Sequence, residues 1–315
     1  MKSNSINITV HKIDTPYLVG PVDIFELWSQ GKHILIDTGP PTQTATDYLN
    51  KHIDLSTLDY LLVTHCHPDH YGLAQYILDH SPAKLILAHV DGLLAELFPQ
   101  RIEFLTQTFS SLGIPEDFLG PFKQLLPKFQ GDIPFPRHYQ RLEDSEQLLS
   151  DLGIHWMACP GHSQSDIIFT FEGQAVTGDV LLRNIFSAPL LDMDLTRGEG
   201  RFSNYNAYCE SLRKLHGLRN TQVRPSHNDW ILGVDEQILF YCHKIIQRSQ
   251  KIEPLFGERG TIYEILERLF PDLIKTPFKF YVKTGELYFL LDYLNEPERL
   301  HQSLEHLGLR EALGV

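Results

Sequence analysis

The sequence predicts an α/β protein, with sheets covered by helices. Two observations carry that expectation. Apolar runs of strand length alternate with short helical segments from about residue 7 to about residue 232. Several of those runs end directly in His- or Asp-bearing motifs. The 315 residues suffice for one large domain, or a domain with an appendage.

The elements follow in order. "NITVHKI" alternates as a half-buried strand does, "VDIFELWSQ" is mostly apolar, "GK" turns the chain, and "HILIDTG" runs apolar into Asp37 and Gly39. "DYLLVT" reads as a buried strand, "GLAQYILDH" as a short helix and "KLILAH" as another strand. Residues 99 to 140 differ: Pro99, Pro115, Pro121, Pro127, Pro134 and Pro136 punctuate helical pieces that carry Phe104, Phe109, Phe118, Phe122, Phe129 and Phe135. This reads as an insertion, either a packed surface excursion or a lid over an apolar cleft. Strands resume with "IHWMAC", then "DIIFTF" and "QAVTGD" as a hairpin around "EG". "NYNAYCESLRKLHGL" is helical, with Tyr205, Tyr208, Leu212 and Leu215 on one stripe, and "TQVRPSHND" is a strand and a loop. From about residue 235 the pattern is helical, and Thr261 and Glu264 have capping-box spacing. The expected organisation is a catalytic domain over residues 1–234 and a helical region over 235–315. The latter is read as a cap on the domain, with a dimer or partner surface as the alternative.

Composition narrows the function. A net charge of −13 without a Lys/Arg run disfavours nucleic acid as a partner. No apolar run approaches the ~18 residues of a membrane span, and the N-terminal stretch lacks the apolar core of a signal peptide. Cys66, Cys159, Cys209 and Cys242 are scattered, so the expectation is a cytoplasmic protein with free thiols.

The chemistry concentrates in four short motifs. "VTHCHPDHYG" places His65, His67, Asp69 and His70 within six positions. "PGHS" brings His162, "TGD" brings Asp179, and "PSHND" brings His227. Each follows a strand, so one sheet edge would gather five histidines and two aspartates. Crowded imidazoles and carboxylates are costly to bury unless a divalent metal compensates. Counting ligands, one metal takes His65, His67 and His162. A second takes Asp69, His70 and His227, and Asp179 bridges. Two metals ~3.5–4 Å apart lower the pKa of a shared water towards ~7 and polarise a carbonyl or phosphoryl oxygen.

HxHxDH followed by a lone His, a lone Asp and a final His resembles the metallo-β-lactamase-fold hydrolases, over roughly residues 7 to 232. The resemblance implies an αβ/βα four-layer sandwich with metals at one edge. It implies that Asp37 of "LIDTG" supports the site from behind, and that Asp69 both binds metal and shuttles a proton. The implied cofactor is two divalent ions, zinc first, iron or manganese as alternatives. Two departures matter. His67 stands where the diiron flavoproteins carry Glu, which disfavours oxygen reduction. Asn228 stands where many hydrolase members carry Gly, which is expected to change the loop behind His227.

The resulting expectation is a dinuclear hydrolase that attacks an ester, thioester or lactone with a bridging hydroxide. Its substrate is a small molecule, with an apolar acyl group if the insertion is a lid. Arg183, Asn184, Tyr205 and Asn228 are the candidate substrate contacts. The alternatives are a persulfide dioxygenase with one iron on His65, His162 and Asp179, and a non-catalytic metal-binding sensor or interaction module. His89 and the remaining histidines are read as structural or solvent-facing, Cys66 as facing away from the metals and Cys159 as core.

Overall fold

A computed structural model describes residues 6–125, 133–256, 261–272 and 276–314. β1 (Asn7–Ile13), β2 (Val22–Ser29) and β3 (Lys32–Ile36) form an antiparallel meander. β4 (Tyr60–Leu62), β5 (Lys84–Leu87) and β6 (Gln140–Arg141) extend it in parallel, giving a six-stranded sheet in sequence order. A second sheet has the order β10-β9-β8-β7. There β7 (His155–Ala158), β8 (Ile167–Phe171) and β9 (Gln174–Val176) are antiparallel, and β10 (Gln222–Arg224) lies parallel to β9.

The side chains show why these layers stack. In β3, Ile34 and Ile36 point one way and Leu35 the other, as strand geometry requires. Leu35, Leu61 and Leu85 pack under α1 (Gln43–His52) and a second outer helix at Ala74–His80, against Leu49 and Ile77. Ile34, Ile36, Leu62 and Ile86 face Ile167, Phe169, Phe171 and Val176 of the second sheet. On that sheet's far side, Ile168, Ala175 and Val223 pack against helical residues Tyr205, Leu212, Ile238 and Ile245. The layers are therefore helices, sheet, sheet and helices: the expected αβ/βα sandwich. Strands covered on both faces need near-continuous apolar sequence, which "HILI" and "LIL" provide.

Both hairpin turns carry two consecutive residues of positive φ: Gln30 (49°) and Gly31 (76°), then Glu172 (43°) and Gly173 (74°). That is the twist-matched turn of a two-residue hairpin. The second turn is the expected "EG". The first lies one residue earlier than "GK", because Lys32 already pairs with Ser29.

The central segment is helical from His89 rather than from residue 99: the helix His89–Glu96 is followed by Phe98–Ser110 and Glu116–Leu125. Pro127 and Phe129 lie outside the described residues. Phe109 is fully buried, with its ring 5.8 Å from Phe280 and 6.0 Å from Tyr281, and Phe135 contacts Tyr71 and Tyr139. Two long helices, Val234–Phe256 and Pro277–Asn295, and the helix Pro297–Leu307 bury Ile238, Ile245, Leu287, Leu290, Leu300 and Leu304 in the same cluster as the second sheet. Among the described residues, one hydrophobic cluster runs across residue 234. The Thr261–Glu264 capping box forms with both hydrogen bonds, at 3.2 and 2.7 Å. Among the described residues no helix is long and apolar enough to cross a membrane, and all four cysteines are free and buried.

Candidate metal centre

The four His/Asp motifs and Asp37 converge at one edge of the two sheets. Asp37 follows β3, and His65 follows β4. His162 follows β7, Asp179 follows β9, and His227 follows β10. The motif of residues 65–70 is only partly loop. His67 caps a one-turn helix, Pro68–Tyr71, with proline at its first position, where the missing N–H costs nothing. That turn aims Asp69 and His70 back towards His65. Gly72 is required behind it: a Cβ there would lie 2.2 Å from Pro68 O and 2.7 Å from Pro41 N.

The converging atoms form two groups. In the first, His65 Nε2 lies 2.9 Å from His67 Nδ1, and His162 Nε2 lies 2.9 Å from the same atom. In the second, Asp69 lies 3.7 Å from His70 Nε2 and 3.4 Å from His227 Nε2. Asp179 stands between them. Its Oδ1 is 3.5 Å from His70 Nε2 and 3.6 Å from His227 Nε2, and its Oδ2 is 3.6 Å from His162 Nε2. Each group has ligand atoms close enough to share one ion, and so has the set His65, His70 and Asp179.

Groups behind the histidines fix which nitrogen faces inward. Carbonyl and carboxylate oxygens accept, so the ring nitrogen beside each must carry the proton. His227 Nδ1 donates to Pro21 O at 2.7 Å, His162 Nδ1 to Ala188 O at 3.0 Å, and His70 Nδ1 to Asp37 Oδ2 at 2.8 Å. This leaves Nε2 of each ring directed into the cluster, the arrangement metal-binding histidines need. Asp37 is fully buried, and its carboxylate also accepts from Thr64 N and Thr64 Oγ1, both at 2.8 Å. His70 Nε2, His227 Nε2 and Asp179 Oδ1 are buried with no hydrogen-bond partner. Buried polar atoms without partners are rare and costly, and a cation on these atoms would resolve all three. The donor set, nitrogens and carboxylate oxygens, suits zinc, iron or manganese.

Electrostatics reinforce the fit. Burial, then the neighbouring imidazoles, holds His65 and His67 well below the usual histidine range, so both are neutral. For His70, burial opposes the charged form, but the carboxylates of Asp69, Asp179 and Asp37 outweigh it and lift its pKa to about 10.

The candidate substrate contacts fare differently. Tyr205 does not reach the cluster: it is fully buried, donates to Glu296 O at 2.9 Å and accepts from Leu300 N, tying its helix to the C-terminal region. Arg183 and Asn184 lie on the loop after Asp179, near the rim. Arg183 pairs with Asp229 at 3.4 Å. Asn228 donates to Arg183 O at 3.1 Å, so its amide joins two rim loops. Its φ is +64°, a left-handed conformation that Asn tolerates better than most residues.

Sequence reasoning missed several neighbours of the site. A narrow cavity beside His67 is lined by Leu94, Arg101, Gln164, Leu190, Asn204 and Tyr281, among others, with about 40 Å³ open to water-sized molecules. That is room for a few waters, not a long acyl chain. Arg101 is buried there in a two-pronged ion pair with Asp192, at 2.6 and 3.1 Å. A signal existed: Arg101, Leu105 and Phe109 share one stripe of Phe98–Ser110, and a charge on an apolar stripe implies a buried partner. Asp166 accepts from Ser163 N at 2.7 Å and Ser163 Oγ at 2.6 Å, shaping the turn after His162. Tyr17, half-buried on the β1–β2 loop, has its phenol pushed up to about 12 by burial and by Asp69.

The chain belongs to the metallo-beta-lactamase superfamily, whose family model matches residues 17–216. Among curated proteins it is similar to the probable metallo-hydrolase YqjP of Bacillus subtilis, 26% identical over 290 residues, covering 82% of this chain and 84% of that one. It is also similar to the thioesterase pkgB of Emericella nidulans, 24% identical over 225 residues, covering 70% of this chain and 49% of that protein. Among solved structures it shares its fold with a beta-lactamase domain protein of Burkholderia ambifaria, at a TM-score of 0.74 and 19% identity, covering 91% of this chain and 86% of that one.

Proposed function

We propose that this protein is a hydrolase that holds two divalent metal ions and cleaves a small ester, thioester or lactone. The observation that carries the reading is Asp179, whose two oxygens address both halves of a buried His/Asp cluster. The superfamily membership and the relatives named as metallo-hydrolase and thioesterase support hydrolysis. Zinc is the expected metal, with iron or manganese as alternatives.

Bound metals would supply a hydroxide at neutral pH and a Lewis acid for the carbonyl. The chain's residues do the rest. His65, His67 and His162 would hold one ion, and Asp69, His70 and His227 the other, with Asp179 placed between the two groups. Burial opposes the charged form of Asp69, but the neighbouring imidazoles outweigh it and hold the carboxyl low, so it stays ionised and available to a cation.

Elemental analysis of protein purified without added metal or chelator is the test. Two equivalents of zinc, iron or manganese per chain, together with turnover of a short-chain ester, thioester or lactone, is the expected result. One equivalent of iron with oxygen uptake on a persulfide would replace the hydrolase with a dioxygenase. No metal, even after reconstitution, would remove the ligand assignment.

A further inference from the structure

We propose that the C-terminal helical region is part of the metal centre, acting through Gln237 and Tyr241, which clamp the loop that orients His162. The inference rests on the two-metal reading above and assigns the positioning of one of its sites.

Gln237 and Tyr241 lie one turn apart on the helix Val234–Phe256, and both are buried. The loop they face leaves Asp179 and reaches Ala188. Tyr241 Oη accepts from Leu182 N at 3.3 Å and from Ser187 N at 3.2 Å. Gln237 Oε1 accepts from Asn184 N at 3.2 Å, where the backbone is left-handed, with φ +59°. Three backbone N–H groups of one short loop therefore end on two side chains of one helix. Phe186 adds packing: its ring centre lies 5.6 Å from Tyr241, 6.1 Å from Phe289 and 4.5 Å from the Arg248 guanidinium.

Ser187 Oγ lies 2.8 Å from His162 Nδ1, and Ala188 O accepts from that nitrogen at 3.0 Å. Leu190 N donates to His162 O at 3.3 Å. The loop thus sets both the tautomer and the ring direction of His162, whose Nε2 joins His65 and His67. Loop segments are ordinarily the mobile parts of a fold, and this one is fixed by side chains more than 50 residues away in sequence. Gln237 and Tyr241 are positioning residues: they touch neither ion nor substrate. Removing an outer partner of a metal-bound histidine typically lowers affinity 10–100-fold. A group one bond further out belongs at the low end.

The experiment is zinc titration against a chromophoric chelator on the 315-residue chain, with cobalt(II) absorption as a second readout. The proteins are the wild type, Tyr241→Phe, Gln237→Met and Tyr208→Phe. Tyr208 is the control, since it stacks near Tyr241 while its hydroxyl has no oxygen or nitrogen partner. The expected result is two equivalents in the wild type and about tenfold weaker binding of one equivalent in Tyr241→Phe and Gln237→Met. The cobalt bands of that site should move with it, and Tyr208→Phe should match the wild type. Unchanged affinities in both clamp variants would overturn the inference, as would an equal loss in Tyr208→Phe. A wild type that binds fewer than two equivalents would instead overturn the two-metal reading itself.

Discussion

Asp37 Oδ2 and His70 Nδ1 lie 2.8 Å apart, and neither side chain has any solvent exposure. The pair joins the end of β3 to the metal cluster. Asp37→Asn keeps the shape and suits the left-handed backbone at φ +64°. The amide, however, cannot accept from Thr64 N, Thr64 Oγ1 and His70 Nδ1 together. Disrupting a buried pair of this kind costs about 3–5 kcal/mol. Zinc affinity should fall about 10–100-fold. Urea denaturation of the metal-free protein and chelator competition measure the two effects. Unchanged zinc affinity would mean that Asp37 does not orient His70.

Asp179→Ala removes the carboxylate shared by both halves of the cluster. Metal content should drop below two equivalents and hydrolysis should be lost, while the fold, read by far-UV circular dichroism, persists. Retention of two equivalents with full activity would exclude Asp179 as the bridge.

Metal uptake should rise with pH. Burial disfavours a charged His70, but Asp69, Asp179 and Asp37 raise its pKa to about 10 in the metal-free chain. A metal on Nε2 must displace that proton, so its affinity should gain about tenfold per pH unit below that value. The linkage to stability has the matching sign. A folded-state pKa above the unfolded value of about 6.5 stabilises fully below about pH 6.5, and that contribution is lost as pH climbs towards 10. Zinc competition at pH 6, 7 and 8 gives the first slope. A flat profile would show that His70 is already neutral.

Asp91 tests burial in isolation. It is fully buried, accepts from Cys66 N at 3.2 Å, and is pushed up to about 7 by desolvation. The folded state therefore holds this proton more tightly than the unfolded chain, whose carboxyl titrates near 3.9. Stability falls as pH rises from about 4 to about 7. Asp91→Asn should flatten that slope and be more stable than wild type above pH 7. Denaturation midpoints at pH 5 and 7.5 decide it.

Gly285 sits mid-helix in Pro277–Asn295, where alanine ordinarily helps by up to about 1 kcal/mol. Here a Cβ would meet Pro189 O at 2.3 Å and Leu191 N at 2.7 Å, both backbone atoms of the segment following the His162 partners. Gly285→Ala should therefore lower stability by about 1–3 kcal/mol, read as a lower melting temperature. A rise in that temperature would show that the segment yields.

Much of this molecule was legible in one dimension. The alternation in "HILI" gives the two faces of β3, "EG" gives the second hairpin, and the spacing of His65, His67, Asp69 and His70 gives a cluster, because these signals are set by neighbours within a few residues. The sequence by itself determined the layers and the set of His and Asp residues that meet at the sheet edge. Only the tertiary structure decided what stands behind them. Tyr205 has a residue type and place in the chain compatible with a substrate contact, yet packing commits its hydroxyl to Glu296 and Leu300, more than 90 residues away. Arg101 meets Asp192, and Tyr241 meets Ser187, across 91 and 54 positions. Such pairs have no period and no fixed spacing. They exist because buried N–H groups and charges must find partners wherever the folded chain happens to bring them.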